Sequence, residues 1–273
     1  MGCLYLYYYS NQNIFAIIEQ RLIAHQGVTI VNLILKKPSG LKPKFNINLT
    51  NEKSLHSAIK HWFSQPGDLI ETEVNTFIID IVRGNTLIEI QTGNFNALKR
   101  KLTKLLPHYK VKLVYPIIRQ KWILTLTDDG STILSRRKSP KTGTFVEVFS
   151  ELLHISQFVQ SPNFTIELLL VDVEELQLAN GKGSWRRKGK SILDRKLLAV
   201  VANKAINHSI ELLDFLPDNL PTQFTNKILA QHSRYSIYVC RKITYCLKKI
   251  GLIKQIGKSG RELLYEIAPS PAK

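Results

Sequence analysis

Residues 77–95 read FIIDIVRGNTLIEIQTGNF, two strongly apolar runs separated by Gly84-Asn85. A two-residue turn of this kind, flanked by runs rich in isoleucine and valine, closes an antiparallel hairpin. The turn fixes the register: Arg83 faces Thr86, Val82 faces Leu87, Ile81 faces Ile88 and Asp80 faces Glu89. Side chains alternate between the two faces of a strand, so Asp80, Val82, Leu87, Glu89 and Gln91 share one side. Phe77, Ile79, Ile81, Ile88 and Ile90 make the other, which is purely core. Directly opposed Cβ atoms lie roughly 5 Å apart, and like charges so placed repel. The acidic face also carries Ile78, Val82 and Leu87, so it is partly covered, and two acids there call for a cation or a shared proton. A divalent metal meets that need, because Mg²⁺ takes one or two carboxylates and keeps several waters. The plainer alternative is a solvated strand face whose acids are offset by lysines nearby.

The flanking sequence supplies a frame. NEKSLHSAIKHWFSQPGD has a helical apolar stripe at Leu55, Ile59 and Trp62–Phe63 and stops at Pro66-Gly67. Strand patterns follow at 69–75, 76–82 and 86–91. NFNALKRKLTKLLPHY is an amphipathic helix with Leu98, Leu102 and Leu105–Leu106 inward and Lys99, Arg100, Lys101 and Lys104 outward. VKLVYPI reads as a short buried strand, KWILTLTDDGSTILSRR as a second hairpin turning at Asp129-Gly130, TFVEVFSELLHI as a helix and FTIELLLVDVEEL as a long strand. ANGKGSWRRKGKS is a Gly- and Lys-rich linker and the expected domain boundary. Beyond it, LDRKLLAVVANKAI and the stretches around IELLDFL and NKILAQHS read as helices. YLYYY and GVTIVNLILKK, within residues 1–46, look strand-like but carry no motif.

Charge narrows the partner. The 273-residue chain has 38 Lys and Arg against 21 Asp and Glu, a net charge of +17. Such an excess points to a polyanion, with nucleic acid the default. The three cysteines, Cys3, Cys240 and Cys246, have no metal-ligand spacing, and so sparse a set suits a reducing cytoplasm. No apolar run approaches the length of a membrane span. The first residues lack both a signal peptide's basic start and the serine or threonine of a myristoylation site. A cytoplasmic protein with no membrane partner is expected.

An acid on a first helix (Glu52), a strand with Asp80, a hairpin turn, a strand with Glu89-Ile90-Gln91, a basic helix and a buried strand follow one another between Glu52 and Pro116. This order resembles the core of the PD-(D/E)-x-K nuclease superfamily, the restriction endonuclease-like fold. The resemblance covers under a quarter of the chain. It implies phosphodiester hydrolysis with Mg²⁺, or Mn²⁺, held by Asp80 and Glu89 and the Ile90 carbonyl completing the shell. Gln91 stands where the superfamily has lysine, and Glu52 would be the first-helix acid that joins the site. Glutamine can position water by hydrogen bonding but carries no positive charge for an anionic transition state. Nucleases of this fold often act as dimers, so a homodimer is compatible with the resemblance, although no interface is legible.

Two basic stretches are candidates for phosphate contact: SRRKSPKTG, with Arg136, Arg137, Lys138 and Lys141, and GSWRRKGKS, with Trp185, Arg186, Arg187 and Lys188. Lys99 and Arg100 on the basic helix join them. At the C-terminus, QFTNKILAQHSRYS, SIYVCRKITYCLKKIG and LIKQIGKSGRELLYEI follow as helix, helix and hairpin. This resembles a winged helix-turn-helix, which implies a recognition helix in the major groove and a wing on the backbone. Tyr235, Arg241 and Lys242 would then read DNA, Ile237, Cys240, Ile243 and Leu247 would point inward, and Lys258 and Arg261 would lie on the wing.

The expected fold is α/β: a restriction endonuclease-like mixed sheet flanked by helices, followed by a mainly α winged-helix domain. The divisions are an N-terminal extension at 1–46, the nuclease-like domain at 47–178, a basic linker at 179–192 and the winged helix at 193–273. The expected activity is metal-dependent hydrolysis of double-stranded DNA. A non-catalytic DNA-binding or regulatory protein on a nuclease-like scaffold is the alternative, and RNA is a weaker alternative substrate.

Overall fold

The computed structural model describes residues 54–268. The readings made above for residues 1–46, for Cys3 and for Glu52 lie outside these residues. The described part is mixed α/β, built on a large mixed sheet flanked by helices.

Helix α1 (Ser54–Phe63) precedes three strands, β1 (Leu69–Val74), β2 (Phe77–Arg83) and β3 (Thr86–Ile90). A short 3-10 turn leads into α2 (Lys99–Leu105), and β4 (Lys110–Leu126) follows. Then come β5 (Ile133–Lys138), α3 (Phe149–Ile155), β6 (Phe164–Leu178) and β7 (Ser191–Ile206). Spatial order is β1-β2-β3-β4-β6-β7, with β5 beside the distal half of β4. β3, β4 and β6 run parallel, and the other pairs are antiparallel.

The two faces are apolar for different reasons. Leu55 and Ile59 of α1 cover Ile81, Ile88, Ile90, Val114, Leu169 and Val171 on one side. Leu98, Leu102 and Leu105 with α3 cover Leu87, Leu113, Ile166 and Leu168 on the other. β6 contributes to both cores, which is why its run LLLV at 168–171 is continuously apolar rather than alternating. β4, β6 and β7 then run past α2 and α3 as an arm, where Leu124, Leu126 and Leu176 form a small separate cluster.

The boundary expected at 179–192 is the closed end of a hairpin. β6 and β7 pair antiparallel from Ile166↔Ile206 to Leu178↔Ser191, with register shifts after Leu170, Asp172 and Leu176. LDRKLLAVVANKAI is therefore a strand and not a helix. Its Leu, Lys and Ala residues are good helix formers, but propensity is a weak determinant, and pairing with the β6 edge outweighs it. VKLVYPI and KWILTL, read as separate strands, are likewise one, β4.

The C-terminal region holds a 3-10 turn at Ser209–Phe215, β8 (Gln223–Phe224), α4 (Asn226–Ser233), α5 (Ile237–Ile250), β9 (Ile253–Ser259) and β10 (Glu262–Ile267). Thr225 and Ser236 cap α4 and α5, their hydroxyls accepting from Ile228 and Val239 N–H. Gly251 ends α5 at a φ of 83°, a conformation that favours glycine. Cys240, Ile243 and Leu247 point inward as expected, but Ile237 is 38 % exposed because it opens the helix beyond the core.

This region shares the core of the sheet domain. α5 lies on α3, where Lys242 Nζ donates to Ser150 Oγ at 2.8 Å and Gln160 donates to the Ile250 carbonyl. Phe149 meets Phe215 edge-to-face at 5.2 Å. Phe149→Ala should cost about 3–5 kcal/mol. Because Phe149 is fully buried between the two regions, its loss should shift one cooperative urea transition rather than split it, as followed by circular dichroism.

Candidate functional site

The hairpin opens at Asp80. Pairing of β2 with β3 follows the predicted register through Arg83↔Thr86, Val82↔Leu87 and Ile81↔Ile88 and stops there. The next hydrogen-bonded pair of such a ladder would join Ile79 and Ile90. Instead, the Ile90 N–H donates to Asp80 Oδ2 at 2.7 Å. Pairing with β1 also skips Asp80: Ile70 faces Ile81 and Thr72 faces Ile79, and Glu71 between them has a φ of 49°. β3 turns toward β4, with Gln91 N–H donating to the Val114 carbonyl at 2.9 Å.

Three charged side chains and a histidine meet at this opening. His56 of α1 sets Nε2 3.0 Å from the Ile90 carbonyl and 3.3 Å from Asp80 Oδ2. A carbonyl only accepts, so this nitrogen carries the proton. Lys101 of α2 donates from Nζ to Glu89 Oε1 at 2.5 Å and to the Ile78 carbonyl at 2.6 Å. The Asp80 and Glu89 side chains are 16 % and 8 % exposed.

The two acids are shifted in opposite directions. Burial pushes Asp80 up, but His56, the Ile90 amide and Lys101 together outweigh it, and its carboxyl titrates below the usual range. Burial raises Glu89 to about 7; Lys101 pulls the other way and the charge of Asp80 adds to the rise. One ionised and one readily protonated carboxyl, side by side, suit proton handling at neutral pH.

Sequence reasoning brought Asp80 and Glu89 together, and the structure places them together. The structure does not add Gln91, whose amide turns to the Gly93 carbonyl. The Ile90 carbonyl, expected as a metal ligand, accepts from His56. Among the described residues no group of three or more His, Cys, Asp or Glu is arranged to hold a metal. The set present is a carboxylate pair, which meets the protein share of a Mg²⁺ shell. Lys101 and His56 were missed. Lys101 lies three residues after Leu98 and four before Leu105, at the margin of the apolar stripe, and that spacing carried the signal.

A second cluster lies between α5 and the β9–β10 hairpin. A cleft of about 360 Å³ is lined by Arg241, Tyr245, Lys248 and Arg261, with Asn226 and Glu262. Neither Arg241 nor Arg261 has an ion-pair partner among the described residues. Of the other predicted contacts, Lys242 is turned away to Ser150 and stands 4.3 Å from the Tyr238 ring. Tyr235 is half-buried, and Lys258 is exposed on β9 outside the cleft. Lys99 is half-buried, and Arg100 stands over Phe77 at 5.9 Å. Arg136, Arg137 and Lys138 form β5, exposed throughout, and Lys141 pairs with Glu147 at 3.1 Å. Trp185, Arg186, Arg187 and Lys188 sit at the β6–β7 turn.

The profile of a family described as "Domain of unknown function (DUF8091)" matches residues 53–207, more than half of the chain. The chain belongs to the DUF8091 family. The match runs from α1 to the end of β7, so the DUF8091 unit takes in Asp80, Glu89 and Lys101 and leaves out the α5 cleft. An "Uncharacterized protein" of Treponema pallidum (strain Nichols) is 33 % identical over 229 residues, covering 82 % of this chain and 88 % of that protein. No solved structure matches.

The state of Glu89 has a measurable consequence. Its folded pKa lies above the unfolded value of 4.5. Between the two the native state keeps a proton that the unfolded chain has released, so stability falls as pH rises toward 7 and then levels. In metal-free buffer the Tm should decline from pH 5 to pH 7.5, and Glu89→Gln should flatten that decline, as read by differential scanning fluorimetry.

Proposed function

We propose that this protein binds double-stranded DNA and hydrolyses its phosphodiesters at the opened hairpin, as a metal-dependent endonuclease on a restriction endonuclease-like sheet. The observation that carries this reading is the meeting of Asp80, Glu89 and Lys101 where β2 and β3 part. Asp80 and Glu89 would hold Mg²⁺, or Mn²⁺, which would supply Lewis-acid activation of phosphate and water. Lys101 provides the positive charge that Gln91 lacks, placed to stabilise charge developing on a phosphate. His56 and the Ile90 amide keep Asp80 ionised and aimed. With the ion bound, Glu89 would be held ionised as its ligand, and the raised pKa of its carboxyl belongs to the metal-free site.

The C-terminal cleft would hold the substrate. The order β8, α4, α5, β9, β10 supports a winged helix, with α5 as the recognition helix and Gly260-Arg261 at the tip of the wing. With the Lys242 side of α5 closed by α3, the stripe Tyr238, Arg241, Tyr245 and Lys248 is the one left to face DNA. Arg241 and Arg261, free of acidic partners among the described residues, suit phosphate.

A non-catalytic DNA-binding protein is favoured by one observation: Gln91 and the Ile90 carbonyl, both expected in a working site, are engaged elsewhere. Plasmid cleavage with Mg²⁺ or Mn²⁺ separates the two. Glu89→Ala should abolish cutting, and Lys101→Met should slow it by about a hundredfold or more, while DNA affinity stays unchanged in both. Absence of cutting by the wild type, with salt-sensitive DNA binding retained, selects the non-catalytic reading. Arg241→Ala with Arg261→Ala should weaken DNA binding and lower the salt dependence by about one unit per arginine, measured by fluorescence anisotropy across a salt series.

A further inference from the structure

The Gly- and Lys-rich turn between β6 and β7 is built rather than loose. Gly183 N–H donates to the Gly189 carbonyl at 2.7 Å, and Gly189 N–H returns to the Ser184 carbonyl at 3.2 Å. Arg187 Nε donates to the Lys190 carbonyl at 3.1 Å. A Cβ on Gly183 would fall 1.7 Å from the Lys190 carbonyl oxygen, so a side chain there would break the closure. On this frame Trp185 stands 83 % exposed. An indole left in water forgoes the burial that large aromatics normally obtain.

The surroundings are cationic. Residues 179–190 include Lys182, Arg186, Arg187, Lys188 and Lys190 and no acid. Arg186 stands 5.5 Å from the centroid of the Trp185 ring. The same end of the sheet carries the β4–β5 hairpin: Ala179 N–H donates to the Leu126 carbonyl and Leu126 pairs with Ile133, the turn between these strands bears Asp128 and Asp129, and the basic residues Arg136, Arg137 and Lys138 lie further along β5, away from the tip.

We propose that this tip is a stacking site for an unpaired base, so that the protein prefers DNA with a single-stranded stretch beside duplex. The proposal rests on the nucleic-acid reading above and adds its substrate class. Within a duplex the flat faces of the bases are hidden by their neighbours, and an unpaired base offers one to an aromatic ring. The flanking cations hold the phosphates on either side. An anionic lipid surface is the competing partner for tryptophan among basic residues. It fits less well because the chain neighbours of Trp185 are Ser184, Arg186, Arg187 and Lys188, and inserting the ring would carry those cations toward the acyl chains.

The test uses the full chain and three probes: a blunt duplex, the same duplex with a single-stranded extension, and phosphatidylserine-containing vesicles. Wild type is compared with Trp185→Ala and Trp185→Phe, with Tm as a check that the exposed site leaves the fold intact. Wild type should favour the extended duplex. Trp185→Ala should lose about tenfold or more on that probe and stay within twofold on the blunt one, and Trp185→Phe should keep most of the preference. Equal binding of wild type and Trp185→Ala to the extended duplex, or equal loss on both DNAs, overturns the stacking site while leaving the DNA reading standing. Binding to vesicles that Trp185→Ala abolishes assigns the tip to lipid. Wild type that binds neither DNA overturns both readings together.

Discussion

Parallel pairing of β4 with β6, running from Val111↔Phe164 to Leu126↔Leu178, is the spine on which everything else is hung. Its inner half is sandwiched between α1 on one face and α2 and α3 on the other, and supplies both large cores. Its outer half carries β5 and the β6–β7 turn beyond α2 and α3, while Ser54 at the start of α1 donates to Asp194 of β7. A parallel pair needs a crossover between its strands. Here that crossover includes β5 and α3, and α3 is the surface on which the C-terminal helices dock. The pairing thus sets the place of the opened hairpin, the basic arm and the α5 cleft at once.

The opened hairpin shows how a side chain can replace a rung of a ladder. Asp80 Oδ2 satisfies the amide of Ile90 that β2 would otherwise have bound, so β3 can leave β2 without burying an orphan donor. The same carboxylate is then fixed beside Glu89. The structural demand and the chemical opportunity come from one residue, and substituting Asp80 would disturb both.

Much of this was legible in the sequence. The turn at Gly84-Asn85 fixed the register as far as Ile81↔Ile88; beyond it the strands part, and the Asp80 carboxylate is held by the Ile90 amide rather than by the ladder that the turn implied. Apolar stripes located α1, α2 and α5, because periodicity survives whatever the helix packs against. The failures share a cause. The segment of β7 reads as helix because its Leu, Arg, Lys and Ala residues, judged locally, favour that state, and the decision is made by β6, which no local window contains. Lys101 was placed on the solvated face because a lysine in an amphipathic helix usually belongs there. Its pairing with Glu89 is a long-range fact about how α2 lies across the sheet. The turn at 179–190 has the composition of a linker, and only the pairing of the strands on either side reveals it as a closed end.

Along β7 the register with β6 shifts three times. Among the described residues β7 is the outermost strand on its side of the sheet. Each shift bends the strand and throws its outward N–H and C=O groups out of step with any flat strand laid beside it. The irregularity guards a long, partly apolar edge against sheet-to-sheet polymerisation. It also means that two copies of this chain would associate more readily through side-chain surfaces than by continuing one sheet into another.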